Sequence, residues 1–148
     1  MKIRQREMLQ KLFDVRYCRR RHPLLLQPAA PVQRFGTAEL RELVADMDDT
    51  MRALNGAGIA APQIGVIQRV FVMDCADKDE APDPMALVNP EILWLSEETR
   101  VHEEGCLSIP DVYEDVTRPD RVRLRWLDRD GAVQEGEFDG LRATCAQH

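Results

Sequence analysis

The stretch Glu103-Glu104-Gly105-Cys106-Leu107-Ser108-Ile109-Pro110 sets a cysteine between a glycine and apolar residues, with carboxylates just upstream. A thiolate carried at a strand turn is a soft, exposable metal ligand, and this string suits that role. Taken alone, Cys106 reads as a small buried hydrophobe, so its neighbours have to decide the matter. Upstream, Arg100 to Glu103 has the composition of a short strand, as do Ala86 to Val88 and Ile92 to Leu95. Downstream, Val122, Leu124 and Trp126 alternate with Arg121, Arg123 and Arg125. Asp128-Arg129-Asp130-Gly131 then turns the chain back along Ala132 to Phe138. That pattern is a hairpin with one wet face.

The N-terminal half has the opposite periodicity. Behind Thr37, a good N-cap, Leu40, Leu43, Val44, Met47, Met51 and Leu54 recur at steps of three and four. This predicts an amphipathic helix over about residues 38 to 54 whose Met and Leu stripe faces the core. Asn55-Gly56 ends it, since both tolerate the left-handed backbone of a helix C-terminus. The run Gly56-Ala57-Gly58-Ile59-Ala60-Ala61-Pro62-Gln63-Ile64-Gly65 follows. It is so rich in small residues that it reads either as a tight loop against a helix or as a backbone that another chain can approach closely. It follows a helix and has no G-K-S/T, so it is not a phosphate loop. Gln68 to Met73 reads as a buried strand and Asp77 to Pro84 as a polar loop. Asp139 is placed to cap a last helix running from Gly140.

The fold expected from these patterns is α+β, with short, mostly antiparallel strands, one long helix and a short final one. At 148 residues and 44 % hydrophobic, one domain with one core is expected, spanning residues 22–148. Residues 1–21 place Met8, Leu9, Leu12 and Phe13 on one possible helical face and end in Arg19-Arg20-Arg21. They read as a basic tail, with an organellar targeting leader as the alternative. The segment Pro23 to Val32 is broken by prolines and reads as an extended arm. The net charge of -6 divides into +6 over residues 1–22 and -12 over the rest. An acidic body argues against a nucleic-acid surface, and no run is apolar enough to cross a membrane as a helix. Four cysteines without a C-x-x-C pair or an export signal favour a reducing, cytoplasmic setting. Of these, Cys18 and Cys75 read as non-functional, and His22 and His102 as surface or packing residues.

Three segments together resemble peptide deformylase, the metal hydrolase that removes the formyl group from the initiator methionine of new polypeptides. Gly56 to Gln63 matches the family pattern G-x-G-x-A-A-x-Q, and Glu104 to Ser108 matches E-G-C-L-S. Gln147-His148 opens the third pattern, Q-H-E-x-D-H. Hydrolysing an amide near neutral pH needs a metal that acidifies its bound water, held by three protein ligands with one position open. The resemblance implies that Cys106 and His148 are two of those ligands, and that the metal is ferrous iron, with zinc or nickel as substitutes. It implies that the Gln63 amide and the Leu107 backbone N–H stabilise the oxyanion. Gly56, Ala57, Gly58, Glu104, Gly105, Leu141 and Cys145 would then form the substrate-binding surface for N-formylmethionyl nascent peptides, met at the ribosome. The final helix would be the central one of the fold, with the metal between it and the Cys106 strand.

In the family a glutamate follows the first histidine and a second histidine lies four residues after it; His148 is the last residue here. The expectation is therefore of a deformylase truncated within its third motif, inactive or nearly so as these 148 residues. The alternative is a non-catalytic, deformylase-like protein that binds N-terminal peptides.

Overall fold

The long helix forms where the apolar spacing places it. In the computed structural model, which describes residues 22–148, α1 spans Ala38–Ala53, and the Thr37 hydroxyl accepts the Leu40 amide hydrogen at 3.1 Å. Leu40, Val44, Met47 and Met51 are buried, Met47 and Met51 completely. Full burial of side chains of this size is worth about 1.5–3 kcal/mol each. The left-handed residue that ends the helix is Asn55, at φ 55°. The basic segment of residues 1–21, with its possible apolar helical face, lies outside the described residues.

Seven strands follow: β1 (Gly58–Ala60), β2 (Val70–Met73), β3 (Met85–Leu95), β4 (Thr99–Cys106), β5 (Ile109–Pro119), β6 (Val122–Leu127) and β7 (Val133–Phe138). The last helix, α2, spans Gly140–Gln147. Five of the strands make an antiparallel sheet in the order β1-β2-β3-β6-β7, and β4 and β5 form a separate two-stranded hairpin. Alternate residues of the sheet serve two cores. Ile59, Val70, Val72 and Val88 pack against α1. Met73, Leu87, Val122, Leu124, Trp126 and Phe138 form the other, with Ala143 of α2. The architecture is α+β, as the patterns predict.

Several local expectations change. The two strands expected at Ala86–Val88 and Ile92–Leu95 are one strand, β3, carrying a register shift between Val88 and Glu91. Asn89 (φ 50°) and Pro90 sit in that bulge, which is how a proline is accommodated within a strand. The Asn89 amide is in turn satisfied by Val32, whose N–H and C=O it binds at 2.8 and 2.9 Å. The expected extended arm contains a short 3-10 turn at Pro23–Leu26, where the His22 Nδ1 accepts the Leu24 amide hydrogen. Strand β5 has no counterpart in the sequence reading, because most of its residues are exposed and prolines stand near both ends. Asp139 occupies the N-cap of α2, but its side chain makes no capping bond. Among the described residues no helix is long and apolar enough to cross a membrane.

Candidate active-site cleft

The hairpin β4–β5 and helix α2 meet the free edge of β1 around a cleft of about 660 Å³. Two residues, Leu107 and Ser108, connect β4 to β5. The pairing then jumps from Gly105↔Tyr113 to Cys106↔Ile109, and Asp111 adopts φ 63° within the extra residues. A bulge of this kind re-aims the side chains beside it, here Cys106 on the cleft wall.

Opposite stands Gln63, in the 3-10 turn Ala61–Ile64 that follows β1. Its Oε1 accepts the Ala60 amide hydrogen at 2.8 Å, and its Nε2 donates to the Ser108 hydroxyl at 3.0 Å. The Ala60 N–H can only face an acceptor, so the orientation of the amide is determined. One of the two Nε2 hydrogens goes to Ser108, which leaves the other for a cleft occupant.

The short helix α2 brings Leu141, Cys145 and His148 to the same cleft. Its end is docked on the hairpin by polar contacts. The Arg118 guanidinium grips Glu104 through two bonds of 2.6 and 2.8 Å and donates to the Gln147 carbonyl at 3.2 Å. The Gln147 side chain donates to the Pro119 carbonyl at 2.9 Å. Glu104 also lies 2.7 Å from His148 Nδ1. Hydrogen bonding from Arg118 holds the Glu104 carboxyl below the ordinary carboxylate range against its burial, and His148 adds to the effect. An ionised carboxylate at that distance places the imidazole hydrogen on Nδ1, so a neutral ring keeps the lone pair of Nε2. This is the outer-shell arrangement that orients a metal-binding histidine.

All the site residues named from the sequence border this one cleft: Gln63, Cys106, Leu107 and His148, then Gly56, Ala57 and Gly58, then Glu104, Gly105, Leu141 and Cys145. Glu104 does so as a buried carboxylate committed to Arg118 and His148 rather than as a free contact surface. The glycines are required by close packing. A Cβ on Gly56 would lie 2.7 Å from Leu107 Cδ1, and one on Gly58 would lie 2.4 Å from the Cys145 sulfur. Arg118, Ser108 and His102 escaped the sequence reading as site residues. His102 borders the cleft, and its buried Nδ1 has no hydrogen-bond partner among the described residues. The signal available for Arg118 was its place in an otherwise acidic and apolar stretch, which becomes meaningful only once β4 and β5 are paired.

As to metal, the donor types fit. A cysteine sulfur and an imidazole oriented by a carboxylate border one cavity. The number is small, since no cluster of three or more His, Cys, Asp or Glu that could hold an ion occurs among the described residues.

Comparison with known proteins gives these features a context. Residues 16–148 match the profile of the polypeptide deformylase family. The peptide deformylase of Phenylobacterium zucineum is 50 % identical over 127 residues, covering 86 % of this chain and 75 % of that protein. That of Mesorhizobium japonicum is 52 % identical over 126 residues, covering 85 % and 71 %. A class I type b peptide deformylase from Acinetobacter baumannii, solved with Met-Ala-Ser bound, superposes with a TM-score of 0.83 at 35 % identity. The match covers 89 % of this chain and 87 % of that one. With a sequence this similar running through β1, the hairpin and α2 alike, the chain belongs to the polypeptide deformylase family.

Proposed function

We propose that the chain serves the hydrolysis of the N-formyl group from the N-terminal formylmethionine of newly made polypeptides, releasing formate. The observation that carries this reading is the convergence of Gln63, Cys106 and His148 on one cleft that runs along the unpaired edge of β1. The Cys106 thiolate and His148 Nε2 would hold a divalent metal, ferrous iron in the first place and zinc or nickel as substitutes. When bound, such a metal acidifies water and polarises a carbonyl.

The remaining roles belong to the protein. An extended peptide adds to the edge of β1 as a further strand, with Gly56 and Gly58 allowing its close approach. Ala57, Leu141 and Cys145 wall the apolar slot that takes the methionine side chain. As the formyl carbon becomes tetrahedral its oxygen gains charge, and the spare Nε2 hydrogen of Gln63 and the Leu107 N–H donate to it. Each such donor is worth about 3–4 kcal/mol in the transition state. Ser108 and Ala60 hold Gln63 in that orientation beforehand. Glu104 keeps the His148 ring turned with its lone pair available. This activity places the protein in the cytoplasm, acting on nascent chains at the ribosome.

These 148 residues offer the metal two protein ligands, and the carboxylate beside His148, Glu104, is committed to Arg118 and to the far ring nitrogen rather than free to move a proton. They should therefore bind metal loosely and turn over little or not at all. The second reading, a protein that binds N-terminal peptides without hydrolysing them, draws on the small donor set.

The test compares the chain with a version extended by Glu-Ala-Asp-His after His148, each given Fe²⁺, Ni²⁺ or Zn²⁺ without oxygen and assayed for formate from formyl-Met-Ala-Ser. The extended protein should release formate and the 148-residue chain should not. Formate from the shorter chain at a rate set by added metal would end the claim of inactivity. Failure of the extended one, with peptide binding intact by calorimetry, would favour the binding protein.

A further inference from the structure

His102 borders the cleft and has no share in the chemistry of Gln63, Cys106 and His148. It lies on β4 two residues before Glu104, so both side chains point to the same face of the strand. Cys106 ends that strand on the cleft wall, about 13 Å farther along at the rise of an extended chain. The end of α2 covers the face at His102. It is fastened to the hairpin at Glu104, which His148 meets, and at the Pro119 carbonyl, which accepts from the Gln147 side chain. Pro119 pairs with Thr99, so His102 falls between the two fastenings, beside the turn of α2 that carries Thr144 and Cys145. Both of those residues also border the cleft.

The ring is not committed to the protein. Its Nδ1 is sealed from solvent with no hydrogen-bond partner among the described residues, whereas Nε2, at the tip of the ring, is not sealed. An N–H buried without an acceptor is costly, so the favoured neutral ring leaves a lone pair on Nδ1 and keeps its hydrogen on Nε2. The other polar hydrogens on this side of the cleft are spent. The Thr144 hydroxyl donates to the Gly140 carbonyl at 3.3 Å, and the Cys145 thiol to the Ala57 carbonyl at 3.7 Å. Ala57 and Leu141 have no side-chain hydrogen to give. The His102 Nε2–H is the donor that remains for the side chain of an occupant.

We propose that His102 is a specificity-determining residue of the slot, and that through it the cleft takes peptides whose first side chain is methionine sulfoxide. This rests on the reading of the cleft as the site of a formylmethionyl N-terminus and extends it to the oxidised side chain. The sulfoxide oxygen is a strong acceptor at the end of a side chain of methionine length, the thioether sulfur is a weak one, and the methylene that replaces it in norleucine is none. A wholly apolar slot would leave the sulfoxide oxygen desolvated without a partner and would reject it. Here the His102 N–H supplies that partner, so the order of binding is sulfoxide, then methionine, then norleucine.

The test is calorimetric binding of three peptides to the metal-free chain: formyl-Met-Ala-Ser, its methionine sulfoxide form and its norleucine form. The sulfoxide peptide should bind about tenfold more tightly than the norleucine peptide, the difference one added hydrogen bond makes. His102→Leu should remove or invert that ratio, and His102→Gln, which keeps a donor, should restore part of it. A measurement on the parent protein needs no variant to fold: with ¹⁵N-labelled histidine, the His102 Nε2 resonance should move on adding the sulfoxide peptide and stay in place with the norleucine one. The proposal is overturned if norleucine binds as tightly as the sulfoxide, if His102→Leu weakens all three peptides equally, as a packing role would, or if the Nε2 resonance responds to both peptides alike. Those outcomes leave the deformylase reading standing. Failure of all three peptides to bind would overturn the peptide-binding cleft itself, and this inference with it.

Discussion

Met47, Met51, Leu87 and Val122 lie in the helix-and-sheet body of the molecule, sealed from water. Along β4, β5 and their turn, the buried residues are Glu104 and Ser108, both polar. The first region is held by apolar area that no single contact dominates. The second is held onto the rest by a few directional bonds. These are Arg118 to the Gln147 carbonyl, Gln147 to the Pro119 carbonyl, Glu104 to the His148 ring, and Gln63 to Ser108, with Arg118 and Glu104 bound to each other inside the hairpin. Apolar contact joins them at Leu107, which sits over Gly56 and packs against the first core. Ordinary packing builds the frame, and the Cys106 hairpin is placed against it by polar groups whose geometry is specific. The residues that could hold a metal therefore depend on the part of the molecule with the least apolar support.

Two substitutions test this difference. Leu87 is fully buried in the second core. Leu87→Ala should cost about 2–5 kcal/mol, the range for a large core side chain cut to alanine. Urea unfolding followed by circular dichroism would measure it, and amide exchange should accelerate throughout the sheet and α1 together. Arg118→Ala should cost less, about 2–3 kcal/mol, because it strands a buried carboxylate but removes a partner that is itself 26 % exposed. Its signature is local, since exchange should rise in β4, β5 and α2 and stay unchanged in α1 and β2. If Arg118→Ala instead loosened the sheet as much as Leu87→Ala, the hairpin would be part of the same cooperative core and the contrast would fail.

The same contrast explains what could be read from the sequence. Helix α1 and the β6–β7 hairpin were legible because apolar side chains repeat there at the period of the element, and burial follows period. Strand β3 was legible only in two pieces, because Pro90 breaks the pattern and its bulge is stabilised by Val32, far away in the chain. Strand β5 was not legible at all, since a mostly exposed strand carries no hydrophobic alternation and owes its existence to pairing with β4. The cleft shows the same split. Gln63, Cys106 and His148 were marked by local motifs. Arg118 carries no motif and Ser108 only closes one without a role of its own in it; their roles arise from contacts with Glu104 and Gln63, residues 14 and 45 positions away.

The smallest effect is expected where a polar contact belongs to the frame rather than to the hairpin. Asp74, at the end of β2, accepts hydrogen bonds from Arg52 of α1 at 2.9 Å, from the Ala76 amide at 3.1 Å and from the Asp83 amide at 3.3 Å. Burial pushes this carboxyl up, but the three donors outweigh burial and leave it below its ordinary value of 3.8. A carboxyl whose folded pKa is depressed contributes stability above its unfolded pKa, and that contribution disappears as the pH falls through the lower, folded value. The parent protein should therefore lose stability more steeply than Asp74→Asn as acidity rises from about pH 5 to about pH 3. The difference should stay below about 1 kcal/mol, since the Arg52 partner is largely solvated and the β2 backbone remains paired without it. Parallel pH dependences in urea unfolding would mean that Asp74 is not ionically coupled to α1. A loss as large as that of Arg118→Ala would mean that the frame, too, leans on directional polar bonds.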